Sequence, residues 1–165
     1  MIFGMSTATF TLVHVALSLV GIVSGFVVVF GLLAGKRMDG WTAIFLASTV
    51  ATSVTGFGFP IHHFSAPHYV GIISLIVLAV AIVARYSFHL VGAWRRIYVI
   101  SSVIALYLNV FVGVVQAFQK IPVLHTLAPK QSEAPFVVTQ LAVIALFVVL
   151  AIRAAKRFLL PVQIS

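Results

Sequence analysis

Histidine is the residue type best suited to chemistry in this chain. There are six: His14, His62, His63, His68, His89 and His125. Cysteine is absent, and Asp39 and Glu133 are the only carboxylates. That removes disulfide frameworks, thiolate metal centres and cysteine nucleophiles. It also removes chemistry that needs paired carboxylates, such as a di-iron cluster or a glycosidase dyad. An imidazole near neutral pH can ligate a metal or haem iron, carry a proton or hydrogen-bond a quinone. A metal site here would have to be built from imidazoles, a donor set that suits Zn, Cu or haem iron. The spacing of His62, His63 and His68 matches no established ligand motif, so topology must decide which rings can meet.

The elements that position these rings follow from composition. Of 165 residues, 62% are hydrophobic and 7% charged, with a mean hydropathy of +1.23. A soluble domain is nearer half apolar and a quarter charged, and a chain this short could not hide so much apolar surface in water. A soluble enzyme, a nucleic-acid binder and a disordered protein are excluded together. A bilayer core of about 30 Å takes roughly 20 apolar residues per helix. Five such stretches occur, at about Phe10–Ala34, Trp41–Phe59, Pro67–Leu90, Ile97–Gln119 and Pro135–Ala155. The expected fold is all-α: one polytopic membrane helical bundle, residues 1–165, with five transmembrane helices. The start, MIFGMSTATF, lacks a basic segment, so the first span is expected to be a retained helix and not a signal peptide.

Alternating connections place Lys36, Arg37, Arg85, Arg95, Arg96, Arg153, Lys156 and Arg157 on one side and only Lys120 and Lys130 on the other. Cytoplasmic loops carry the excess of Lys and Arg. This puts the N-terminus outside and the C-terminus in the cytoplasm. The formal charge of +8 is therefore read as a topology signal, and no nucleic-acid partner is expected. Arg85 falls late in the third span, where a long side chain can snorkel to the interface.

The topology brings His14, His62, His63, His68 and His125 to the outer face, with only His89 on the other. One reading is an all-histidine metal site drawn from those five residues. A second is haem b, with His14 and His68 as one axial pair, His63 and His125 as alternatives, and Lys120 and Lys130 meeting the propionates. A third is a quinone held by one histidine, with Gln116 or Asn109 as second partner and packing from Phe57, Phe59 or Phe118. Each histidine also has a plain reading, as an interfacial loop residue, a first-turn polar residue or a side chain facing water.

The helix faces carry further signals. His14, Ser18, Gly21 and Gly25 form one stripe, and Gly21/Gly25 is a GxxxG pair that could serve self-association. Ser48, Thr52 and Thr55 share a face of the second span. Asn109, Gly113 and Gln116 share one on the fourth. Plain helix packing explains most of these, because Ser and Thr can bond the carbonyl four residues back. Amides in hydrocarbon are harder to dismiss, since unpaired they cost several kcal/mol. Ser132 is expected to cap the fifth span with Glu133 at its positive end; alternatively Glu133, the only outer acid, orients a histidine. Asp39 reads as turn chemistry.

The run from Tyr107 to Gln140, YLNVFVGVVQAFQKIPVLHTLAPKQSEAPFVVTQ, resembles segments of small multi-spanning bacterial membrane proteins of unassigned function. The resemblance covers about a fifth of the chain and implies the inner membrane without implying an activity. The leading functional expectation is a redox or metal-binding membrane protein with a histidine site near the outer face. The alternatives are an accessory or assembly subunit of a larger membrane complex, and a small-solute or proton carrier lined by Asn109, Gln116 and the hydroxyl stripe.

Overall fold

The computed structural model of the chain describes residues 4–59 and 66–159. Among these residues every element is a helix. Helix α1 runs Thr7–Leu33, α2 Asp39–Gly56, α3 Ala66–Ile82, α4 Ala93–Lys120, α5 Pro122–Leu127 and α6 Ala134–Leu159. A single π turn, Val83–Ser87, continues α3.

The ends of α1 show how local sequence sets these limits. The Ser6 side chain accepts a hydrogen bond from the Thr9 amide at 3.1 Å, so the helix begins ahead of its apolar run. At the other end Gly35 takes φ 69°, a left-handed value that suits glycine. The amides of Gly35 and Lys36 then return to the carbonyls of Leu32 and Gly31, closing the helix in a Schellman motif.

Side-chain contacts fix the antiparallel order. At one end the start of α1 meets the end of α2 through His14 and Thr55, and the end of α4 meets the start of α6 through Phe118 and Phe136. At the opposite end Arg85 reaches Asp39 and Tyr98, while the Arg95 guanidinium lies over the Phe158 ring. Helix α4 is central and packs on α1, α3 and α6, while α2 packs on α1 and α3.

Among the described residues, four helices are long and apolar enough to cross a membrane: Thr7–Leu33, His68–Ser87, Ala93–Lys120 and Ala134–Phe158. This is the architecture of a multi-pass membrane protein. The expected five spans reduce to four by this measure because α2 carries Ser48, Thr49, Thr52, Ser53 and Thr55 together with Asp39, which lower its hydropathy below that of the other long helices.

The tightly packed core lies largely in the half of the bundle that holds the basic ends. Val28, Val29, Phe45, Leu78, Tyr98, Leu106 and Phe158 are all buried there. Lipid gives no hydrophobic drive between helices, so this packing rests on close approach and on polar bonds. Gly21 and Gly25 provide the approach. A Cβ on Gly25 would lie 2.6 Å from Leu106 and 2.9 Å from Phe45; one on Gly21 would lie 2.8 Å from Asn109 and 2.9 Å from Thr49. The glycine stripe is thus filled from within the chain, and self-association through it would have to displace α2 and α4.

Arg85 corrects a second expectation. Its side chain turns inward instead of snorkelling outward and is only 5% exposed. It donates to the Tyr98 hydroxyl at 3.3 Å and to Asp39, and lies over the rings of Tyr86 and Tyr98. The Tyr98 hydroxyl also bonds Thr42 at 3.2 Å. Asp39 therefore joins α2 to the end of α3, which is more than turn chemistry.

Candidate ligand cavity

Opposite the solid basic half, the bundle encloses a cavity of about 570 Å³ between α1, α2, α3 and α4. Each helix contributes polar residues at helical spacing, so one face of each points inward. From α1 come Thr11, His14 and Ser18; from α2, Thr49, Thr52 and Ser53; from α3, His68 and Ser74; from α4, Asn109, Gln116 and Lys120. Phe57 and Phe59 close one side, and Val15, Leu19, Ile22, Leu108 and Val112 supply apolar wall. Gln116 and Lys120 are exposed, at the mouth.

Hydrogen bonds divide these groups into spent and unspent. Ser18 donates to Asn109 Oδ1 at 2.8 Å, and Asn109 Nδ2 gives a longer bond to the Ser18 carbonyl at 3.4 Å. Ser53 donates to Ser74 at 3.0 Å. His14 Nδ1 lies 2.8 Å from Thr55 Oγ1, and its ring meets Phe59 edge-on with centroids 5.2 Å apart. The His68 ring lies 6.0 Å from that of Phe57.

Thr49 and Thr52 differ from most of the buried hydroxyls, and share their lack of a partner with Ser102, which lies outside the cavity. Ser24, Ser48, Thr55, Ser101 and Thr139 each bond the carbonyl four residues back. The buried hydroxyls of Thr49 and Thr52 have no partner among the described residues, although both residues line the cavity. A buried, unmade hydrogen bond costs about 1–3 kcal/mol. Sequence alone did not single out this pair. Both residues belong to a stretch of hydroxyls whose back-bonding is indistinguishable until the neighbouring helix is in place.

The structure gathers some of the expected site residues and disperses others. His14, His68, Asn109 and Gln116 share the cavity. His125 lies on the short helix α5, exposed and away from it. His62 and His63 lie outside the described residues. Among the described residues, no group of three His, Cys, Asp or Glu side chains is placed to hold a metal ion. Phe118 is buried against Phe136 and does not line the cavity. Gln119 bonds Gln131, and Gln140 bonds the Phe111 carbonyl, both away from the cavity. Glu133 accepts from the amides of Lys130 and Ser132 at 3.1 and 3.0 Å. It closes its own loop instead of orienting a histidine, and the Ser132 amide donates to it where a capping hydroxyl was expected.

No model of a known protein family, no curated protein and no solved structure matches this chain.

Proposed function

We propose that this protein binds a quinone-class ligand, a planar ring with oxygen at both ends, in the cavity between α1 and α4, and serves membrane redox chemistry there. The observation that carries this reading is the mixed lining of that cavity, where Phe57 and Phe59 stand beside His14 and Asn109 and the unpartnered hydroxyls of Thr49 and Thr52 are buried in its wall. A lipid tail would leave them unpaired. A ligand bearing ring oxygens supplies both a flat apolar body for Phe57 and Phe59 and polar atoms for Thr49, Thr52, His14 and Asn109. The volume falls in the range usual for small-molecule sites, roughly 300–1,000 Å³.

The test is saturable binding of a short-chain benzoquinone to the protein in lipid nanodiscs. Thr49→Val with Thr52→Val should weaken it by about tenfold, given about 0.5–1.5 kcal/mol per hydrogen bond. Absence of saturable binding, or binding indifferent to both substitutions, sinks the reading.

A second reading rests on the two imidazoles, from α1 and α3, that line the same cavity. His14 and His68 would be axial ligands of haem b, with Lys120 toward the propionates. A Soret band lost in His14→Ala and His68→Ala favours it over the quinone.

In this reading the bundle crosses the membrane five times, with the cavity facing outward, the C-terminus cytoplasmic, and the bacterial inner membrane as its home. Support for the fifth crossing is that α2 runs along most of the length of its neighbour α1. Its first residue meets Arg85 at one end of the bundle, and Thr55 meets His14 at the other. Eighteen residues rise about 27 Å, close to the hydrocarbon thickness of about 30 Å.

A further inference from the structure

The hydrogen bonds around Thr55 fix which nitrogen of His14 carries its proton, and that fixes what the cavity can recognise. Thr55 Oγ1 lies 2.7 Å from the Ala51 carbonyl and 3.1 Å from the Thr52 carbonyl. Carbonyl oxygens have no hydrogen to give, so the single hydroxyl proton of Thr55 is spent on them. Only a lone pair remains for His14 Nδ1, 2.8 Å away. Nδ1 must therefore be the donor. A neutral imidazole has one N–H, so Nε2 on the opposite edge is a bare acceptor. Nothing among the described residues donates to it.

The groups across the cavity have the opposite polarity. Asn109 Oδ1 is already taken by Ser18, while its amide nitrogen makes only one long bond and keeps a proton to offer. Thr49 and Thr52 each hold an unspent hydroxyl proton. The cavity thus pairs an acceptor at His14 with a donor at Asn109, while the buried hydroxyls of Thr49 and Thr52 in its wall can serve either way.

We propose, resting on the quinone-class reading, that the cavity discriminates between redox forms and selects the hydroquinone. One ligand hydroxyl donates to His14 Nε2, and oxygens of the ligand accept from Asn109, Thr49 or Thr52. The oxidised quinone has only acceptors and would set a carbonyl lone pair against that of Nε2. His14 touches the ligand; Thr55 acts through it as a positioning residue that holds the tautomer.

The experiment measures equilibrium binding of three probes to the full chain in nanodiscs: a short-chain benzoquinol kept reduced under anaerobic conditions, the matching benzoquinone, and the dimethyl ether of the quinol. The quinol should bind about tenfold more tightly than either of the others, the worth of one good hydrogen bond over a mismatched pair. His14→Phe should bring all three to one level. Thr55→Val should narrow the quinol-to-quinone ratio, and Thr55→Ser, which keeps the hydroxyl, should restore it. Thr55→Ser also guards against a mere folding defect in Thr55→Val. Equal saturable binding of quinol and quinone to the native chain overturns the discrimination while leaving the quinone reading standing. No saturable binding of any probe overturns both.

Discussion

Ser18 and Asn109, 91 residues apart in the chain, join α1 to α4 through a 2.8 Å hydrogen bond at the floor of the cavity. Interhelical bonds of this kind in membranes contribute about 0.6 kcal/mol on average and up to about 1.7. A double-mutant cycle with Ser18→Ala and Asn109→Ala, read by denaturant titration in mixed micelles, should return a coupling energy in that range. A coupling of zero would mean the bond contributes nothing to holding the two helices together.

Gly25 and Gly113 offer a matched comparison. A methyl group on Gly25 would collide with Leu106 and the Phe45 ring, whereas on Gly113 it would meet Ile22 at an ordinary 3.6 Å. Gly25→Ala should destabilise the bundle by about 1–3 kcal/mol through overpacking. Gly113→Ala should be near neutral. Thermal unfolding of the two variants side by side reads the difference directly.

Tyr98 is the hub of the basic end, where its hydroxyl meets both Arg85 and Thr42. Tyr98→Phe leaves the buried guanidinium short of one acceptor and should cost about 1–2 kcal/mol. Arg85→Lys should not restore native stability, because an ammonium lacks the fork that serves Tyr98 and Asp39 together. Most of the exposed Asp39's Coulombic share is screened. Asp39→Asn should therefore lower the unfolding temperature less than Arg85→Met does.

The loop before α6 carries a pH signature. Desolvation acts to raise the pKa of Glu133. It is outweighed by the amides of Glu133, Lys130 and Ser132, with help from the Lys130 charge, which together hold the carboxyl below its ordinary value. A folded pKa lower than the unfolded one stabilises fully above the unfolded value and is lost as pH falls through the folded one. The unfolding temperature should thus exceed that of Glu133→Gln near neutral pH, and the gap should close below about pH 4. A gap that is constant with pH would assign the effect to shape alone.

The native chain has no cysteine, so single reporters give a clean topology test. Gly40→Cys and Val91→Cys flank α2 and α3 at exposed positions. Five crossings put both on the cytoplasmic side, closed to an impermeant maleimide in intact cells, with Lys130→Cys labelled from outside. If α2 does not cross, Gly40 and Val91 lie on opposite sides.

The sequence by itself determined the helical, membrane-spanning architecture, because apolar length and the scarcity of charge are local quantities that no packing arrangement can alter. It also placed His14, Ser18, Asn109 and Gln116 on inward faces, since a 3.6-residue repeat fixes which side chains share a side of a helix. Only the tertiary structure decided which inward groups find one another. It filled the Gly21/Gly25 stripe from within, drew Arg85 in toward Tyr98, sent His125 off on α5, and left Thr49 and Thr52 without partners among the described residues while satisfying Thr55. Those outcomes depend on the register and rotation of one helix against the next. Hydrophobic periodicity cannot encode them, because each helix face is compatible with many neighbours until close contact selects one.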